Sequence, residues 1–230
     1  QAAERRKIPF LDADAIAPTL IKRGFKYFFR VTQDDEIWFR DFMWTRFIPD
    51  VVKKRGGKIQ NVAVLHENTL WGVDAARYGS EYAKKHGFNI VTQIAYPARS
   101  TSLTSEVQKL KMVERDTHML LQASYTADGI LFMKTFHEMD YNPPLIFNDG
   151  GYREPAFLEA LGKKSEFIMQ RDEFSVDMGE KKLLVKQVND LYKQRFGVDL
   201  NTNSARNFMG VICLAEAIHR AGSPDREAVR

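Results

Sequence analysis

Apolar residues along this chain follow two rhythms. Short continuous runs alternate with longer stretches in which apolar positions recur every three or four residues. The first rhythm suits a strand buried on both faces, the second an amphipathic helix. Residues 8–11 predict a short buried strand and 25–31 a second, aromatic and β-branched. A helix is predicted over 36–55, where Ile37, Phe39, Met43, Phe47, Ile48, Val51 and Val52 recur at helical spacing. Pro49 would kink or split it, and Gly56-Gly57 would end it.

The alternation then becomes regular. Strands are predicted over 62–65, 88–92, 119–122, 143–147 and 167–170. Helices are predicted over 71–86, 103–115, 126–139 and 154–161, with Gly87 stopping the first of these and Ser124 placed to cap the third. Leu103, Val107 and Leu110 should be buried, and Pro155 sits in a first turn. Two further helices follow, 180–196 and 204–221. Leu183, Leu184, Val188, Leu191 and Tyr192 share one side of the former; the latter is more apolar and is expected to be buried. Strand and helix in strict turn imply an α/β fold, with a parallel sheet covered on both faces.

Composition narrows the function classes. The 230 residues are 44% hydrophobic and 28% charged, which suits packed cores rather than disorder. The net charge of +4 comes from 34 basic residues interspersed with 30 acidic ones, not from the basic stripe of a nucleic-acid binder. No stretch approaches the roughly 18 unbroken apolar residues of a membrane helix. Cys213 is the single cysteine, so it forms no internal disulfide and belongs to no metal-ligand cluster. Both ends read as cut, so a fragment of a longer protein is expected.

Candidate chemistry lies where open α/β sheets bind ligands, at the carboxyl ends of the strands. These ends carry Asp12 to Ile16, His66-Glu67-Asn68, Ala123-Ser124-Tyr125 and Asn148-Asp149-Gly150-Gly151. No glycine-rich phosphate loop, nucleophile elbow or zinc signature is present. His66 and Glu67 are adjacent at a strand end and so point to opposite faces, which disfavours an acid/base pair. No catalysis and no cofactor are expected. Asp149 could hold a ligand ammonium, or it could satisfy loop amides. Tyr125 offers a ring face and a hydroxyl, or is a core aromatic with a wet tip. Trp71 could wall a pocket or pack in a core.

Several stretches resemble the type I periplasmic binding proteins, in particular the leucine/isoleucine/valine-binding branch. They are Ile16-Ala17-Pro18-Thr19-Leu20; Arg23-Gly24-Phe25-Lys26-Tyr27-Phe28-Phe29-Arg30; Val62-Ala63-Val64-Leu65-His66-Glu67-Asn68-Thr69 with Trp71-Gly72; Leu121-Gln122-Ala123-Ser124-Tyr125-Thr126-Ala127-Asp128; and Asp149-Gly150-Gly151-Tyr152 with Pro155-Ala156-Phe157-Leu158. The resemblance implies a two-lobed fold present here as a fragment: 1–32 as part of lobe one, 33–172 as lobe two and 173–230 as the return to lobe one. It implies the substrate-binding component of an ABC importer that closes two lobes on a small molecule. The expected ligand is a hydrophobic or branched-chain amino acid. The alternatives are a ligand-sensing domain of the same fold, or a transport protein for aromatic acids or amides. The partners implied are the small-molecule ligand and a transporter permease, with no nucleic acid and no membrane insertion. The location implied is the periplasm, or the cell exterior as a lipoprotein. The family's ligand positions fall on Asp14, Ala15, Ile16, Trp71, Tyr125 and Asp149. Ile16 stands where the family carries a hydroxyl that grips a ligand carboxylate, so that grip is weakened or a less polar ligand is implied.

Overall fold

A computed structural model describes every residue, Gln1–Arg230. The chain divides into two units, residues 1–33 with 172–230 and residues 34–171.

The first unit begins with a helical turn α1 (Ala2–Arg5), then strand β1 (Phe10–Asp12), a 3-10 turn over Pro18–Arg23, and strand β2 (Phe28–Arg30). β1 and β2 pair in parallel, with Phe10 opposite Phe28. The strand expected over 8–11 starts two residues later, and its Phe10 is half exposed rather than buried. A two-stranded sheet gives such a ring few neighbours beyond the stacked Phe28, 5.7 Å away.

The second unit opens with one long helical segment in three registers: α2 (Asp35–Trp38), a π-helical stretch (Phe39–Phe47) and α3 (Ile48–Arg55). The Asp34 carboxylate caps it by accepting the Ile37 amide at 3.0 Å. The Ile48 amide reaches back five residues to the Met43 carbonyl. Pro49, which lacks an amide hydrogen, thus falls in the first turn of α3, where none is needed. The expected split therefore appears as a change of hydrogen-bond register, and Gly56 at φ 74° ends the segment.

After it come β3 (Asn61–Glu67), α4 (Leu70–Lys85), β4 (Asn89–Tyr96), α5 (Thr104–Met112), β5 (Met119–Ala123), α6 (Thr126–Glu138), β6 (Ile146–Asn148), α7 (Pro155–Leu161) and β7 (Met169–Gln170). The five strands form one parallel sheet in the order β4-β3-β5-β6-β7. Side-chain alternation divides each central strand between two layers. Val62, Val64, Met119, Leu121 and Phe147 join the core made by the first helical segment and α4. Ala63, Leu65, Leu120 and Ile146 join the opposite core with Leu103, Val107, Leu110 and Phe132. The continuous apolar runs of the sequence are thus strands buried on both sides.

Two local expectations change. Ser124 does not cap α6: Tyr125 occupies that position, without a side-chain cap, and Ser124 lies fully buried beneath it. The last strand shrinks to two residues because Phe167 takes φ 65° and is exposed.

The chain returns to the first unit with α8 (Leu183–Phe196), α9 (Thr202–Ala221) and α10 (Arg226–Val229). The side chains of Asn201 and Ser204 cap α9 reciprocally. The expectation that this helix is buried is not met. It buries only Thr202, Arg206 and Gly210, while Phe208, Met209, Val211, Ile212, Leu214 and Ile218 are exposed. On α8, Leu183, Leu184 and Leu191 are exposed as well.

Candidate functional site

The order of the five-stranded sheet sets where a ligand can sit. The chain leaves β3 for β4 on one side, then crosses back to β5 on the other. The loops after β3 and β5 therefore diverge and leave a crevice at the carboxyl edge, the usual ligand position in open α/β sheets.

Glu67 ends β3 and shapes the first wall. Its carboxylate is buried and accepts the Thr69 amide, the Thr69 hydroxyl at 2.7 Å and the Gly72 amide at 2.7 Å. Those bonds satisfy amides that the start of α4 would otherwise leave open. They also fix Trp71 in its first turn. Glu67 is spent on this task, and His66 Nδ1 lies 2.9 Å from the Glu67 carbonyl oxygen. The two do not form an acid/base pair.

The second wall follows β5. Tyr125 keeps its ring half exposed, with its centroid 4.9 Å from that of Trp71 and the planes tilted by 48°. The third comes from the loop after β6. A side chain built on Gly150 would lie 3.3 Å from Trp71 Cζ2, and one on Gly151 would collide with the Ser124 carbonyl. Both glycines thus let the backbone approach the other two walls. Asn148 Oδ1 accepts the Ser124 amide at 3.2 Å, and the Thr126 hydroxyl donates to the Gly151 carbonyl at 2.7 Å. Trp71, Tyr125 and the Gly150 loop are therefore brought together, and their loops are stitched to one another.

Asp149 is placed differently from a residue open to a ligand. Its side chain is fully enclosed, with Oδ1 3.3 Å from Arg171 Nη1. The same Nη1 donates to Asp35 Oδ1 at 2.8 Å. Burial first, and then the charge of Asp149, push the Asp35 carboxyl well above its ordinary range. The Arg171 guanidinium stacks 5.0 Å over the Trp38 ring. Neither Asp35 nor Arg171 stands out in the sequence, because nothing local distinguishes them from solvated charges.

In the first unit, the loop after β1 turns on itself. Asp12 Oδ1 accepts the amides of Asp14 at 3.0 Å and Ala15 at 2.9 Å. Ile16 is buried, and the carboxylate of Asp14 pairs with Arg206, which also meets Glu173 at 3.1 Å. The amides of Asp14 and Ala15, two of the positions at which the resemblance implies ligand contacts, are thus occupied by Asp12 in this structure.

A family model described as periplasmic binding protein matches residues 1–230. The chain belongs to that family. Among curated relatives of this periplasmic binding protein, Leu/Ile/Val-binding protein homolog 7 of Brucella melitensis is 26% identical over 242 residues, covering 100% of the chain and 58% of the relative. Among solved structures, the leucine-binding protein LivK of Thermotoga maritima superposes with a TM-score of 0.86 at 17% identity, over 99% of this chain and 62% of that one. A solute-binding protein of an ABC transporter from Rhodopseudomonas palustris, solved with 3,4-dihydroxybenzoic acid, gives 0.77 at 20% identity, over 99% and 60%. The fold expected from the resemblance is the fold found. The chain spans about 58% of the curated relative's length.

Proposed function

We propose that this periplasmic binding protein chain is part of the substrate-binding component of an ABC importer, and that it captures a small molecule at the carboxyl edge of the five-stranded sheet. The observation that carries the reading is the convergence of Trp71, Tyr125 and Gly150 at the point where the loops after β3 and β5 diverge. The ligand class is a hydrophobic or branched-chain amino acid, in line with the names of the curated relatives. Trp71 and Tyr125 would face its side chain. Asp149 would reach its ammonium only by releasing part of its hold on Arg171. The same proposal includes closure of two lobes on the ligand, delivery to a membrane permease, and a periplasmic or extracellular location. No helix is long and apolar enough to cross a membrane.

A second reading replaces the amino acid by an aromatic acid. The tilted pair of rings suits a planar ligand, and the acids at the strand ends, Glu67 and Asp149, are engaged internally. The relative from Rhodopseudomonas palustris was solved with such an acid. Calorimetric titration of the full-length protein with leucine, isoleucine, valine and 3,4-dihydroxybenzoate tests both readings. Heat with the aliphatic amino acids supports the first, and heat with the benzoate alone supports the second. Binding that survives Trp71→Ala combined with Tyr125→Ala unchanged would remove the site.

A further inference from the structure

Arg171 is the last residue of the second unit and Asp35 the second. One guanidinium nitrogen joins them, and the same nitrogen meets Asp149, the residue before Gly150. All three side chains have no solvent exposure. The Arg171 backbone is engaged too, since its amide donates to the Asn148 carbonyl at 3.1 Å. Arg171 thus grips two consecutive residues at the end of β6, one by its backbone and one by its side chain.

Each gripped residue leads to a wall of the ligand face. Asp149 continues into Gly150, which lies against Trp71. Asn148 holds the Ser124 amide, directly before Tyr125. We infer that Arg171 is the positioning residue of this face: a buried guanidinium that sets the Gly150 loop against Trp71 and ties it to the first turn of the unit through Asp35. The inference rests on reading this face as the ligand site.

Energetics favour a geometric role over a stabilising one. A buried ion cluster is often no more stable than apolar packing of the same volume, so stability alone does not account for it. A single guanidinium nitrogen shared by two carboxyls fixes where both of them lie as well as supplying charge. Two carboxyls compete for that charge, and the raised Asp35 carboxyl lets the cluster settle at low net charge without solvent. A ligand pressed against Trp71 and Gly150 is then coupled to both ends of the unit.

The test uses the full-length protein labelled with 5-fluorotryptophan, with the 19F resonances of Trp71 and Trp44 assigned by Trp→Phe substitution. Trp71 lies against Gly150, the residue after Asp149, and Trp44 packs on Phe39 and Phe88 in the core. In Arg171→Met the Trp71 resonance is expected to move while that of Trp44 stays, and Arg171→Lys should bring Trp71 back towards its original position. Trp71 unmoved in a folded Arg171→Met protein overturns the inference, because Arg171 would then only hold the core together. If Arg171→Met does not fold, Asp149→Asn decides: Trp71 unmoved in that variant overturns it. Titration with leucine and with 3,4-dihydroxybenzoate separates the inference from the site reading. Where the unsubstituted protein binds either probe, Arg171→Met should weaken it about tenfold, and unchanged affinity overturns the inference. Where it binds neither, the reading of the ligand fails and the Trp71 resonance alone decides the role of Arg171.

Discussion

Arg171 donates to Asp35 at 2.8 Å across 136 positions of sequence, with both side chains sealed from solvent. A contact of that kind fixes the unit's geometry from its two ends. It also places an acid in an environment that resists its charge.

That acid sets a pH dependence. The folded state raises the Asp35 carboxyl well above its unfolded value near 3.8, by burial and by the Asp149 charge, against the opposing pull of Arg171. Between the two values the folded state binds more protons than the unfolded one. Stability from this group is therefore full below about pH 4 and lost as pH rises through the folded value. Urea midpoints should fall from this contribution as pH rises above about 4, and Asp35→Asn should flatten the slope. An unchanged slope would assign the dependence to other groups.

Removing the Glu67 carboxylate should loosen one wall selectively. Glu67→Ala leaves the Thr69 and Gly72 amides without their acceptor and should cost about 1–3 kcal/mol. Hydrogen exchange should accelerate at the start of α4 more than in its buried middle. Uniform acceleration along the helix would contradict a capping role.

Gly151 tolerates no side chain. A methyl there would strike the Ser124 carbonyl and come within 2.8 Å of the Tyr125 carbonyl carbon. Gly151→Ala should destabilise the protein by about 3 kcal/mol, at the severe end of overpacking. Gly150→Ala meets only the edge of Trp71 at 3.3 Å and should be milder. Equal melting temperatures for the two variants would show that the loop yields.

Tyr125 should matter for ligand and little for folding. The residue is 46% exposed and its one aromatic neighbour is Trp71. Tyr125→Phe keeps that ring pair, whereas Tyr125→Ala should weaken ligand binding by about 1 kcal/mol in calorimetry. Loss with both variants would transfer the role to the hydroxyl.

What the sequence showed depended on how local the cause was. The runs at Val62 to Leu65 and Met119 to Leu121 were legible because a strand covered by a core on each face is filled with apolar side chains at consecutive positions. The end of α4 was legible because Gly87 takes φ 84°. Trp71 and Tyr125 could be placed at strand ends by counting along the chain. Their tilt and contact could not, because that depends on two loops stitched by Asn148 and Thr126. Arg171 and Asp35 were invisible for the same reason in stronger form: their environment is made wholly by distant residues. The expected burial of α9 failed because apolarity reports what a helix can cover, not what this chain supplies to cover it.

That last helix has a consequence in the test tube. Phe208, Val211 and Ile212 on α9 lie open, alongside Leu183, Leu184 and Leu191 on α8. These 230 residues handled alone will behave like a surfactant, adsorbing to plastic and air–water surfaces, lighting up hydrophobic dyes and sedimenting faster as they are concentrated.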